Sequence, residues 1–259
     1  MKSPLRKALI LVLSLVFAAG VAALGWHGWQ YIQADRLNQQ AAQLAQLTPE
    51  EAPASSPAPE DPVPHQPADP TAAALSRIHF AALQQVNPDV MGWIQIPDTK
   101  LSYPLLRAQD NDQYLKRSWN GQYNAGGSIF LECQNSPDLS DFNTILYGHR
   151  MRDGSMFAAL KYYKDLEYWQ AHPSVYLATP EGVRRYDIFA AYEAPVVSHT
   201  YRLGFAAPED KEEFLDHALR RSVIDTGIRP SADSRILTLS TCTGAGYSTR
   251  WVVQAVLAE

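Results

Sequence analysis

A mainly β fold is what this sequence predicts: eight strands closing into a barrel or stacking as a sandwich, with an N-terminal helix and further helices inserted in loops. Three observations carry that expectation. Eight short runs rich in β-branched and aromatic residues recur after residue 90, each bounded by Gly, Pro, Asn or Asp. The helical periodicities of the same region lie before or between those runs. The 259 residues, 46% hydrophobic, can bury one core of roughly 150 to 200 residues and leave sequence over for a membrane segment and a spacer.

The N-terminus reads as an anchor. Lys2, Arg6 and Lys7 precede an uncharged apolar run from Ala8 to Leu24, which Gly25 and Trp26 extend to an interface-type aromatic residue. The run reaches the minimum of about 17 residues for a spanning helix. Residues 1–7 are then cytoplasmic, 8–26 form a transmembrane signal-anchor, and the rest of the chain is extracellular, because positive flanks stay inside. A cleaved secretory signal is the alternative, with Ala18, Ala19, Ala22 and Ala23 offering small residues for processing. Both readings export the domain.

Residues 27–70 form the connection. Gln30 to Leu47 lacks Pro and Gly and suits a helix continuing out of the membrane. Thr48 to Pro70 holds eight of the chain's 18 prolines among Ala, Glu, Asp and Ser, a composition that favours an extended tether. The folded domain spans residues 71–259. It opens with one helix from about Thr71, with Leu75, Ile78, Ala82 and Val86 on a single face, ending before Asn87-Pro88. Strands are expected at 92–96, 102–106, 128–132, 144–147, 174–178, 185–192, 236–240 and 251–257. One loop helix is expected from Ser155, as N-cap, through Leu160 toward Tyr163. Another is expected from Pro208, with acidic Glu209 and Asp210 early, Arg220 and Arg221 late, and Phe214, Leu215, Ala218 and Leu219 on one face.

A net charge of -5 provides no basic field, so nucleic acid is set aside as a partner. The two cysteines form neither a disulfide framework nor a C-x-x-C pair, which leaves room for a working thiol. Cys242 ends the run Thr238-Leu239-Ser240-Thr241-Cys242-Thr243 and meets the loop Gly244-Ala245-Gly246, where a strand fixes the thiol from one side and a loop exposes it on the other. Arg250 follows eight residues later, at the start of the last strand, so a hairpin would return its guanidinium beside the sulfur. Ile145-Leu146-Tyr147-Gly148-His149 is another strand ending in a side chain able to carry a proton.

Those three segments resemble the sortases of Gram-positive bacteria. The class B subgroup in particular is similar through Asn87-Pro88-Asp89-Val90-Met91-Gly92-Trp93-Ile94, Asp110-Asn111-Asp112-Gln113-Tyr114-Leu115, Gly127-Ser128-Ile129-Phe130, Met151-Arg152-Asp153-Gly154-Ser155-Met156-Phe157 and the helix from Pro208. The resemblance covers nearly all of residues 71–259. It implies an eight-stranded closed sortase barrel and a two-step acyl transfer; no cofactor is expected, and no metal, since the carboxylates are scattered. Cys242 attacks a carbonyl of a C-terminal sorting signal and forms a thioester, which an amine of a cell-wall precursor or a pilin lysine resolves. His149 carries the proton in both steps, and Arg250 holds the oxyanion or the substrate backbone. By the same resemblance Ser240, Thr241, Asn111 and Leu115 line the peptide groove. Some class B members place an acidic residue just after the cysteine; here Thr243-Gly244-Ala245 stands there.

With ordinary pKa values of about 8.5 and 6.5, few molecules near neutral pH would hold a Cys242 thiolate and a His149 imidazolium together, although Arg250 favours the thiolate. Cys133 reads as a packing residue, with a disulfide to Cys242 as the alternative outside a cell. His27, His65, His79, His172, His199 and His217 have no spaced partners and read as solvated or packing residues. Asp153 and Glu132 are too scattered to define a cation site. Two rival functions differ in class. An L,D-transpeptidase would place a His close before its cysteine, where Ser240 and Thr241 stand; a non-catalytic, membrane-tethered binding module of the same fold would not need Cys242, His149 and Arg250 together.

Overall fold

The computed structural model of the chain describes residues 4–47, 69–243 and 248–258. Lys2, most of the proline-rich tract with His65, and Gly244-Ala245-Gly246 lie outside the described residues. Helix α1, Pro4–Leu44, is one continuous 41-residue element. The membrane-type run and the following Gln/Ala/Leu segment therefore share a single axis. Lys7–Leu44 is long and apolar enough to cross a membrane, and Leu9, Leu13, Val16 and Leu24 are exposed on it. The helix stops at Gln46, whose φ of 59° is left-handed, with Leu47 N donating to Ala42 O at 3.0 Å.

Helix α2, Pro70–Leu75, starts on a true cap: Asp69 Oδ1 accepts from Thr71 N at 2.9 Å and Ala72 N at 3.1 Å. The single helix expected here is broken, and α3 runs separately from Phe80 to Val86. Arg77 N and Ile78 N tighten onto Ala74 O and Leu75 O, and His79 N leaves the ladder for the O of Ala45, just past the end of α1, at 3.4 Å. The buried face becomes Leu75, Ile78, Phe80 and Leu83, while Val86 is exposed.

All eight strands form: β1 Val90–Gln95, β2 Ser102–Arg107, β3 Ile129–Leu131, β4 Asn143–Tyr147, β5 Ser174–Thr179, β6 Gly182–Pro195, β7 Ile236–Cys242 and β8 Thr249–Leu257. They close into a barrel rather than a sandwich, in the order β1-β2-β3-β4-β7-β8-β6-β5, with β5 pairing back onto β1. Two pairs are parallel, β2 with β3 and β4 with β7; the others are antiparallel. Alternation decides which side chains fill the lumen: Leu237 and Leu239 of β7 join Leu146, Val253, Ile94 and Leu105 inside.

Between β4 and β5 lies a 3-10 helix, Phe157–Lys164, followed by a short helix the sequence did not announce, α4 Leu166–Ala171. Ser155 is not its cap, because its hydroxyl is taken by Asp153 Oδ1 at 2.7 Å and Met156, at φ 55°, turns the chain instead. Helix α5, Pro208–Arg221, lies on the outer face of β6 with Phe214, Leu215 and Ala218 buried, as its apolar face predicts.

Beside the apolar contact of α5, a polar network crosses the outer face of β4, β7 and β8. Asn143 is 1% exposed; its Nδ2 donates to Thr200 O and Arg202 O, and its Oδ1 accepts from Thr238 Oγ1 at 2.7 Å. Gln254 donates to the same Thr238 oxygen and accepts from Tyr192 OH at 3.0 Å. Asn143→Ala strands two buried partners, Thr200 O and the Thr238 hydroxyl, and the part-buried Arg202 O, with a desolvation cost of about 1–3 kcal/mol for each buried group that relaxation offsets only in part. A loss of about 2–4 kcal/mol by urea denaturation is expected, with an unchanged slope; a loss below about 0.5 kcal/mol would show that the network does not hold β4, β7 and β8 together.

Candidate active site

The parallel register of β4 against β7 assembles the site. Tyr147 is the Cα partner of Ser240, and Gly148 N donates to Ser240 O at 3.3 Å. Two residues beyond that pair the strands run out side by side, so His149 and Cys242 emerge on the same face as Tyr147 and Ser240. The antiparallel register of β7 with β8 makes Arg250 the direct partner of Cys242. Cys242, His149 and Arg250, separated by up to 101 positions in sequence, thus meet at one end of the barrel, and each is half-buried.

His149 is gripped twice. Its carbonyl accepts from Phe157 N at 2.9 Å, and its ring Nε2 lies 2.7 Å from Leu115 O. A carbonyl only accepts, so Nε2 carries a proton and Nδ1 is left as the nitrogen that exchanges one with the thiol. Two glycines make this grip possible. A Cβ on Gly148 would stand 2.7 Å from the Phe157 ring, and one on Gly127, at φ 58°, would stand 2.7 Å from Leu115 O.

The two pKa shifts run in opposite directions, toward thiolate and imidazolium. The Cys242 thiol is held below its ordinary range by the hydrogen bond to His149, against partial burial, with Arg250 and then Arg150 adding positive charge. The His149 pKa is raised, first by that hydrogen bond to Cys242 and then by the Leu115 carbonyl, against burial and the positive charge of Arg250. Arg250 itself is braced by Thr249 O, to which its Nη1 donates at 3.0 Å.

Of the four groove residues expected, Asn111 and Leu115 lie on the loop that reaches His149. Asn111 Nδ2 donates to Glu132 Oε2 at 2.7 Å while its Oδ1 accepts from Cys133 N at 3.0 Å. Leu115 meets the site through its carbonyl. Ser240 and Thr241 are each 2% exposed; Ser240 Oγ is hydrogen-bonded to Tyr201 OH at 2.9 Å, and Thr241 Oγ1 has no partner among the described residues. The sequence reading missed Tyr201, Tyr147 and Glu132. Tyr147 OH donates to Glu132 Oε2 at 2.9 Å, and its ring stacks on Tyr201 with centroids 6.5 Å apart. Period-two spacing from His149 could have found Tyr147; nothing local marks Tyr201.

Cys133 is exposed, not a packing residue, and both cysteines are free thiols. Some burial and the adjacent Glu132 carboxylate push its pKa up, the opposite direction to Cys242.

A family model for the sortase domain matches residues 94–258. Sortase B of Listeria monocytogenes is 39% identical over 162 residues, which span 62% of this chain and 65% of that relative. The chain thus spans slightly less than two thirds of that protein's length. Among solved structures, a Staphylococcus aureus sortase B–substrate complex superposes with a TM-score of 0.66 at 32% identity, covering 70% of this chain and 84% of that one. A sortase B complexed with triglycine gives the same TM-score and identity over 70% and 85%.

The paired groups make a sharp expectation for the thiol. In a Cys133→Ser background, alkylation of Cys242 by iodoacetamide should reach half its maximal rate at a pH below the value of about 8.5 for a free thiol. His149→Ala removes the largest cause and should move the midpoint up. A wild-type midpoint at or above the ordinary thiol value would contradict the hydrogen-bonded pair.

Proposed function

The chain belongs to the sortase family, and from that premise we propose that it is a class B-type cysteine transpeptidase acting on the sorting signal of exported proteins. The observation that carries this reading is the hydrogen-bonded pair of Cys242 and His149 with Arg250 in register across β7 and β8. A thiol whose pKa is lowered beside an imidazole whose pKa is raised is biased toward the thiolate and imidazolium forms that attack an acyl carbon and protonate its leaving group. In a non-catalytic binding module those shifts would serve no purpose.

The steps follow from the atoms. Cys242 Sγ adds to the scissile carbonyl, and the negative charge moves from sulfur to the carbonyl oxygen, within the field of Arg250. His149 Nδ1–H gives its proton to the departing amine, the C–N bond breaks and a thioester remains. An incoming amine then gives its proton to Nδ1 and attacks the thioester, and Cys242 leaves as thiolate. The substrate-bound and triglycine-bound sortase B relatives support a peptide donor and an amine acceptor. The acceptor here is assigned as the amine of a peptidoglycan precursor; a pilin lysine is the alternative.

Asn111 and Leu115 flank the groove in this reading, the second N–H of the Asn111 amide having no partner among the described residues and so being available to a peptide. Ser240 and Thr241 act from behind it, shaping the wall through Tyr201 and the backbone. In this reading α1 is a membrane anchor, supported by its length and apolar composition, and the catalytic domain is extracellular, supported by the positive Arg6 and Lys7 before the apolar run.

Intact-mass spectrometry of the full chain in detergent micelles, incubated with a panel of sorting-signal peptides, tests the reaction. A peptide-sized adduct on wild type, absent from Cys242→Ala and discharged by hydroxylamine, is the expected result. Arg250→Ala should lower kcat by about 10²- to 10³-fold, in keeping with loss of an oxyanion donor. No adduct with any sorting peptide, on a protein whose Cys242 is freely alkylated, would favour the binding-module reading.

A further inference from the structure

The stem of α1 reaches far into the domain. Residues Tyr31, Ala34, Leu37, Ala41 and Ala45 recur at three- and four-residue intervals on the covered face of the helix, and Ala41 and Ala45 are completely buried. Ala41 and Ala45 belong to the cluster of Leu75, Leu83, Trp93, Leu106, Tyr114, Trp119 and Phe130, which packs against the outside of the barrel. Trp119 is 1% exposed, and its Nε1 donates to Leu37 O of α1 at 2.7 Å. A buried indole N–H has few alternatives to such an acceptor.

Trp119 sits on the loop that orients the catalytic histidine. Asn87 Nδ2 ties Trp119 O to Tyr114 OH, and Tyr114 OH donates to Asp89 Oδ2 at 2.6 Å. Ser128 N donates to Tyr114 O at 3.0 Å, and Ser128 Oγ to Arg117 O at 2.8 Å. Leu115, the next residue after Tyr114, presents the carbonyl that accepts from His149 Nε2. One clamped loop thus carries both the indole that grips α1 and the carbonyl that grips the histidine.

We propose that the α1 stem, residues 31–45, is a positioning element of the active site: by holding Trp119 it fixes the 114–119 segment and so the Leu115 carbonyl that orients His149. The inference rests on the transpeptidase reading for its rate effects, and on the structure alone for the orientation of His149. The membrane helix and the catalytic histidine are then coupled through one packed seam.

The test uses the full chain in detergent micelles, with two variants of the contact and one control. Trp119→Phe removes the donor to Leu37 O and keeps an aromatic ring. Ala41→Leu overpacks the buried seam and lifts the stem. Gln40→Leu, on the exposed face, is the control. His149 is followed by NMR titration of its imidazole, and kcat and KM are measured with a peptide that forms the adduct. The titration midpoint of His149 should fall in the contact variants, because the Leu115 carbonyl favours the charged ring, and kcat should drop about tenfold, since small misplacements of a proton carrier are costly. KM should change by less than about twofold, and Gln40→Leu should match wild type in every measure. Folded contact variants with a wild-type His149 midpoint and kcat, and only a lowered melting temperature, would overturn the proposal and leave the stem as a stabilising strut. Should Ala41→Leu fail to fold, Trp119→Phe decides alone. If wild type forms no adduct, the transpeptidase reading fails, while the His149 midpoint still reports on the stem.

Discussion

The parallel pairing of β4 with β7 is the constraint on which the site depends. These strands are about 90 residues apart in sequence and meet only because the barrel closes in the order β3-β4-β7-β8. Side chains alternate along a strand, so a slip of one residue would turn Thr241 instead of Cys242 toward His149 and send the sulfur into the lumen. The same slip would push Thr238 inside and Leu237 out under α5. Register is therefore specified by the hydrophobic alternation of β7 and, independently, by the Asn143–Thr238–Gln254 hydrogen bonds that cross β4, β7 and β8. A buried polar network of this kind tolerates one alignment only, because any other leaves amide and hydroxyl groups unpaired in a low dielectric.

From that fixed frame the chemistry is built with few further parts. The strand ends deliver three side chains, Gly148 lets Phe157 approach the back of the histidine, and Gly127 lets the Leu115 carbonyl approach its ring. The carbonyl selects the tautomer. With Nε2 committed as a donor, Nδ1 is the ring nitrogen left to face the thiol, so in the proposed reaction one backbone oxygen sets which nitrogen carries the proton. The loop carrying that oxygen is itself clamped by Ser128, Asn87 and Trp119.

Much of this was legible in the chain. Each of the eight strands announces itself by β-branched content between turn residues, and Cys242, His149 and Arg250 stand at strand ends where a sequence reader can find them. The pairing of β4 with β7 was not legible, since no local pattern encodes a partner strand about 90 residues away. The break between α2 and α3 was hidden because His79 N bonds to Ala45, a residue that follows a different helix. Leu115 was found as a side chain, yet it acts through its carbonyl, which every residue possesses. Tyr201 escaped for a similar reason: its hydroxyl meets Ser240 across 39 positions, and tyrosine alone carries no signal of that contact.

Arg250 illustrates how the two charges of the pair divide its influence. Its guanidinium lowers the pKa of Cys242 and also that of His149, so it stabilises the thiolate and destabilises the imidazolium beside it. Converting neutral thiol and imidazole into thiolate and imidazolium leaves the pair's net charge at zero. A third charge therefore senses only the dipole so created, and its contribution to priming the pair is the difference of two opposed effects. The hydrogen bond between Cys242 and His149 has no such cancellation and is the leading cause of both shifts. When sulfur attacks a carbonyl, the negative charge moves outward onto oxygen while the imidazolium stays in place, and the opposition is relaxed for a cation on the oxygen's side. Braced by Thr249 O, Arg250 is suited to that later charge rather than to the resting pair.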